Sequence, residues 1–161
     1  MSRQRDGLTQ LKRLLQGAAI VLGATTTLAF GSLGGDAASV QADQIHMQAS
    51  RRTTAAEGYT VHEMAGANGI IVREFVSPEG KVFGVAWQGP WPPDMRQVLG
   101  SYFDQYVRTA QARGGARMGR RPLWISEPGL VVQVGGHMRS FAGRAYVPEM
   151  LPSGVRAENI Q

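Results

Sequence analysis

The side chains with chemical capacity in this chain are few and scattered. Its three histidines, His46, His62 and His137, share no i, i+4 spacing and none stands beside a second ligand type, so they compose no zinc motif and no metal site is expected. His62 and Glu63 are neighbours on a strand-like run. Adjacent strand residues point to opposite faces, which prevents the two from working as one acid-base pair. Nucleophilic catalysis finds no cysteine and no Gly-x-Ser-x-Gly elbow: Gly100-Ser101 comes closest, with Phe103 in the second glycine's place and a helical pattern around it. The pairs Gly34-Gly35, Gly114-Gly115 and Gly135-Gly136 lack the spacing of a phosphate-binding loop, so no cofactor is expected either. An enzyme reading therefore names no catalytic residue. It needs a hydrolase-like site assembled across a sheet from His62, Glu74 or His137, and it stands as the alternative.

Binding chemistry is better represented. Arg108, Arg113, Arg117, Arg120 and Arg121 lie within one glycine-rich stretch, and guanidinium groups so placed suit acidic sugars or lipid headgroups at a membrane surface. The candidates for polyanion contact are Arg113, Arg117, Arg120 and Arg121. No aromatic residue is interleaved with them, which argues against stacking on bases and hence against nucleic acid. Trp87 and Trp91 bracket a proline-bearing loop, and a tryptophan on a rigid loop is an effective interface anchor. Trp91 is the first candidate for touching a partner protein. Trp87 is the second, although it is in register with Phe83 and Val85 on one strand face, a position that suits packing on the sheet.

The elements that must position these groups follow from periodicity. Asp36 or Ser39 can cap a helix running through about Arg51, with a stripe of Ala38, Ala42, Ile45 and Ala49. Three strands are expected at Tyr59 to Met64, Ile70 to Val76 and Lys81 to Trp87, joined by turns at Asn68-Gly69 and Ser77-Pro78-Glu79-Gly80. Gln88 to Pro93 carries three prolines and cannot continue a ladder. Asp94 then caps a second helix to Arg113 whose Met95, Val98, Leu99, Tyr102, Phe103, Tyr106, Val107 and Ala110 recur at spacings of three and four. Residues 113–121 read as a mobile Arg/Gly linker. Three further strands are expected at Leu123 to Ile125, Leu130 to Val134 and Arg139 to Val147, and the last dozen residues as loop or loosely docked tail. The two halves share a helix-plus-three-strands order, and Gly84-Val85-Ala86-Trp87 echoes Gly143-Arg144-Ala145-Tyr146, as an internal duplication would. The fold class is α+β: one domain over 32–161, an antiparallel sheet of five or six strands with two helices on one face.

The first thirty-one residues set the expected location. Arg3, Arg5, Lys12 and Arg13 precede a mostly apolar run from Leu14 to Phe30, and Ala29-Phe30-Gly31 supplies the small-x-small pattern of a signal peptidase site. The mature chain then begins at Ser32, with Thr27-Leu28-Ala29 as a second cleavage motif and an uncleaved anchor as the competing reading. Arg3 and Arg5 are not adjacent, which favours the general secretory route and a periplasmic or secreted protein. Without cysteine there is neither lipid attachment at a new N-terminus nor a disulfide framework. Losing residues 1–31 takes the net charge from +5 to only +2, so the protein as a whole is no polycation.

A resemblance adds to this reading. Leu33-Gly34-Gly35-Asp36 with Ser39-Val40-Gln41-Ala42-Asp43, Tyr59-Thr60-Val61-His62-Glu63, Val72-Arg73-Glu74-Phe75-Val76-Ser77-Pro78, Val85-Ala86-Trp87-Gln88-Gly89-Pro90, Leu99-Gly100-Ser101-Tyr102-Phe103 and Gly136-His137-Met138-Arg139-Ser140-Phe141 are similar to a family of short exported bacterial proteins, the domain-of-unknown-function family two-eight-four-four. The resemblance covers nearly all of the mature chain and implies an exported Gram-negative protein. It carries no activity and no site residues. The expectation is an envelope protein that works by contact with another envelope protein rather than by catalysis.

Overall fold

A computed structural model describes residues 32–113 and 122–161. The expected signal peptide at 1–31 and all but Arg113 of the Arg/Gly linker lie outside the described residues. Seven strands form a single antiparallel sheet: β1 (Ser50–Ala56), β2 (Tyr59–Ala65), β3 (Ile71–Val76), β4 (Val82–Gly89), β5 (Leu123–Glu127), β6 (Leu130–His137) and β7 (Ser140–Tyr146), in the order β1-β2-β3-β4-β7-β6-β5. The α+β class holds, with seven strands rather than five or six. The additional strand is β1, whose sequence Ser-Arg-Arg-Thr-Thr-Ala-Ala offers no apolar face. All seven of its residues are exposed, and its backbone ladder to β2 holds it in place.

Helix α1 (Ala37–His46) starts where the Asp36 carboxylate accepts from the amides of Ala38 and Ser39, at 3.0 and 3.2 Å. It stops five residues short of Arg51, because β1 takes over the chain. The second helix is interrupted: α2 (Met95–Leu99) is capped by Asp94, a single 3-10 turn spans Gly100–Tyr102, and α3 (Phe103–Ala112) follows. The break falls at Gly100, whose φ of 51° lies outside the helical region.

Both helices cover one face of the sheet. Val40 of α1, Val98 and Leu99 of α2 and Tyr106 and Ala110 of α3 pack with Met64, Val72, Val85, Trp87, Ile125, Val132 and Ala145 in one buried cluster. The opposite face is covered by the segment after β7. There Ile160, fully buried, packs with Phe75, Phe83 and Ala86, and a Cβ placed on Gly84 would meet its Cδ1 at 2.8 Å. The tail is therefore wedged into the sheet rather than loosely docked. Ile160→Val, which trims one methyl from that wedge, is expected to lower the free energy of unfolding by about 0.5–1.5 kcal/mol in urea titration; a loose tail would register no change.

One irregularity changes the side-chain alternation of β4. The register slips between Phe75 and Val76, so that Gly84 faces Phe75 while Val82 faces Val76, and Phe83 joins the tail-face cluster. Phe83 does not share a face with Val85 and Trp87, as simple alternation predicts. The two echoed segments prove to be direct partners: Gly84 lies opposite Tyr146 and Trp87 opposite Gly143.

Candidate functional site

Because β-strand side chains alternate, the register places two polar arrays on opposite faces. On the helix-bearing face, His62 on β2 lies opposite the buried Glu74 on β3, and the exposed Thr53 on β1 lies opposite His62, with 3.0 Å between Thr53 Oγ1 and His62 Nδ1. Glu74 is 0 % exposed, and among the described residues neither of its oxygens has a hydrogen-bond partner. Asp43 reaches the same region from α1; it accepts from Ser32 Oγ at 2.5 Å and from Gln97 Nε2 of α2 at 3.0 Å. Burial drives the Glu74 carboxyl up to about 8; the Ser32 hydroxyl opposes that rise, and the Asp43 carboxylate adds to it. The His62 imidazole is pushed below its ordinary value, first by burial and then by the Arg51 cation. Chemically, Asp43 ties α1, α2 and the segment at Ser32 together, and Glu74 lies sealed among them. Neither of the two cavities described below reaches Glu74.

On the tail face, consecutive cross-strand partners form one row: Glu63, Arg73, Ala86, Arg144, Gln133 and Trp124. Arg73 Nε is bound to Glu63 Oε2 at 2.7 Å, an ion pair that satisfies its charge. Arg144 is different. Its Nε donates to Gln133 Oε1 at 2.8 Å and its terminal nitrogen to the carbonyls of Ala157 and Ile160 at 2.7 and 3.2 Å, all neutral acceptors. Among the described residues no acidic side chain pairs with it. Arg73, Ala86, Arg144, Gln133 and Trp124 of this row line a groove of about 490 Å³ together with Ile160 and Gln161. Its volume falls in the range of small-molecule sites. Among the described residues that line it there is no nucleophilic or acidic side chain and no histidine, and the arginines with the apolar walls can hold and orient an anion with an apolar body.

The residues singled out from sequence are dispersed. Trp91 is 56 % exposed, on the loop between β4 and α2. That loop continues through Pro93 to a second cavity of about 240 Å³, which also involves His46, Asn68 and Gln97. Trp87 is 3 % exposed, a core residue lying over Gly143. Arg113 closes α3, donating to Trp124 O at 2.6 Å and pairing with Glu127 at 3.5 Å. Arg117, Arg120 and Arg121 lie outside the described residues. His62 and Glu74 do come together, whereas His137 sits in the β6–β7 hairpin and faces Ser140. Arg73, Gln133, Arg144 and Trp124 were not singled out. Alternation gave a signal for two of them: Trp124 lies between Leu123 and Ile125, which claim the opposite face, and Arg144 stands mid-strand between small residues.

The comparisons agree with the resemblance. A family model described as "Protein of unknown function (DUF2844)" matches residues 29–160. No curated protein and no solved structure matches the chain. With nearly its whole described length inside that match, the chain belongs to the DUF2844 family of proteins of unknown function.

Proposed function

We propose that this chain is an exported, non-enzymatic binding protein of the bacterial envelope, and that its tail-face groove holds a small organic anion. The observation that carries the binding reading is the groove of about 490 Å³ whose charged lining side chains are Arg73 and Arg144, with no acidic side chain among the described residues that line it. Arg73 is neutralised by Glu63, so Arg144 supplies the attraction while Trp124 offers a flat apolar wall. Export is supported by the basic, apolar and small-residue order of residues 1–31. Titration calorimetry with decanoate tests the site. Wild type is expected to bind decanoate more tightly than decanol, and Arg144→Gln is expected to weaken decanoate binding at least about tenfold, which corresponds to roughly 1.4 kcal/mol. Equal affinity for the acid and the alcohol, or an unchanged affinity in the variant, would sink the reading.

A second reading has its own observation. Trp91 is an exposed tryptophan on a proline-stiffened loop, which suits contact with an envelope protein partner. Cross-linking in intact cells, followed by recovery of whatever accompanies the native chain and Trp91→Ala, decides it: a partner lost in the variant supports this contact, and identical recovery removes it. The membrane-surface reading through Arg113, Arg117, Arg120 and Arg121 retains only Arg113 among the described residues, and that residue is paired with Glu127. The enzyme alternative has His62 and Glu74 together, but Glu74 is sealed from any substrate.

A further inference from the structure

Beneath α1 the fold gathers two buried carboxyl groups that no cation contacts among the described residues. Asp43 and Glu74 are 3 % and 0 % exposed. The groups that face them are Ser32, Gln97 from α2, His62 from β2 and Arg51 from β1. Asp43 receives two hydrogen bonds, whereas Glu74 receives none from the described residues. Arg51 lies on the exposed strand β1 and acts on Glu74 only through its field. A buried carboxyl pair of this kind calls for a cation inside the fold.

One group already in place becomes a cation if the chain is cut before it. Ser32 is 1 % exposed, its hydroxyl is bound to Asp43 and faces Glu74, and its backbone nitrogen donates to Gln97 O at 3.2 Å. Only two carbons separate a serine's nitrogen from its hydroxyl oxygen, which keeps the two within about 4 Å in any rotamer, so this nitrogen lies beside the hydroxyl that binds Asp43. Leu33 N donates to Val98 O at 3.3 Å, Gly34 N donates to Val82 O at 2.9 Å, and Val82 N donates back to Gly35 O at 3.0 Å. The segment is thereby held against both α2 and the sheet. The Ala29-Phe30-Gly31 pattern places the expected cut immediately before Ser32.

We propose that cleavage between Gly31 and Ser32 creates a buried α-ammonium group that pairs with Glu74 and Asp43, so that processing locks the mature fold. Hydrolysis breaks the Gly31–Ser32 amide: water gives its hydroxyl to the Gly31 carboxyl and a proton to the Ser32 amine, which takes a second proton from solvent. The uncut chain offers one N–H at this nitrogen, already given to Gln97. The cut chain offers three, leaving two for the carboxyls, and with a cation in contact Glu74 returns to its ionised form. This inference rests on the export reading above for the cut itself, but not for the ion pair.

The test uses two chains made by tag removal, one beginning at Ser32 and one retaining Gly31, each also prepared with Glu74→Gln. The Ser32 chain is expected to melt several degrees higher than the Gly31 chain near pH 7. Glu74→Gln is expected to lower the melting temperature of the first and to raise or leave that of the second. In the unmutated Ser32 chain, the ¹⁵N-detected α-amine is expected to titrate above its ordinary value of about 8. Equal melting of the two chains, the same effect of Glu74→Gln in both, or an ordinary α-amine titration overturns the ion pair. N-terminal sequencing of the protein from the envelope fraction judges the cut separately: a start at Ser32 supports it, and any other start overturns the processing step even where the pair forms in vitro.

Discussion

In a chain that keeps Gly31, Glu74→Gln is expected to flatten a steep loss of stability between pH 4.5 and pH 8. The wild-type carboxyl is protonated up to about 8 in the fold, because burial excludes its charged form, whereas in the unfolded chain it ionises at the ordinary 4.5. Below 4.5 both states carry the proton and folding loses nothing. Between 4.5 and 8 the unfolded chain releases a proton that the folded chain retains, so each pH unit costs about 1.4 kcal/mol; above 8 the full difference, on the order of 3–5 kcal/mol, is lost. Glutamine carries no charge at any pH and removes that term. His62 contributes with the opposite sign: its folded value is lowered, so its contribution is complete above 6.5 and falls away in acid. Subtracting the variant's urea-derived stability curve from the wild-type curve isolates Glu74. A difference that stays constant from pH 4.5 to 8.5 would show that the carboxyl is not sealed as described.

Gly143→Ala is expected to be among the most damaging of the small substitutions in the sheet. A Cβ at this position would lie 2.6 Å from Trp87 Cε2 and 2.8 Å from the backbone oxygen of Gln133. Neither neighbour can yield cheaply: the indole is 3 % exposed within the main core, and the carbonyl belongs to the adjacent strand. Forcing extra volume into such a contact costs about 1–3 kcal/mol, and more when backbone must move. Gly143→Val should exceed Gly143→Ala. Trp87→Leu costs stability alone by opening a cavity, yet in combination with Gly143→Ala it should recover part of the loss, a negative coupling visible in a double-mutant cycle of urea midpoints. Simple additivity of the two substitutions would mean that the ring does not lie over Gly143.

The contrast between what the sequence revealed and what it concealed has physical causes. The strands rich in Val, Ile and aromatic residues could be read because one or both faces are buried, and so could the caps at Asp36 and Asp94, where a side chain meets free amides. Strand β1 was hidden because backbone pairing alone defines it, and Arg51 and Arg52 leave no hydrophobic pattern. The bulge beside Val76 is a register event, and no periodicity announces that Phe83 turns to the other face. His62 and Glu74 were named as separate candidates. Only strand pairing shows them opposite one another, and only packing shows Glu74 to be closed off. Arg144 and Gln133 form a site with the returning tail, a contact that links distant parts of the chain and leaves no local signature.

The seam between β4 and β7 has a kinetic consequence. Each hairpin on either side of it closes over a short turn, but Trp87 cannot meet Gly143 until α2, α3, β5 and β6 have been laid down between them. Closing so long a loop incurs its chain entropy before any contact at the seam returns energy. The hairpins can gather early and independently, while the joining of the two meanders is the slow, late event. Until it occurs, the inner edges of β4 and β7 remain unpaired strands open to any other chain nearby.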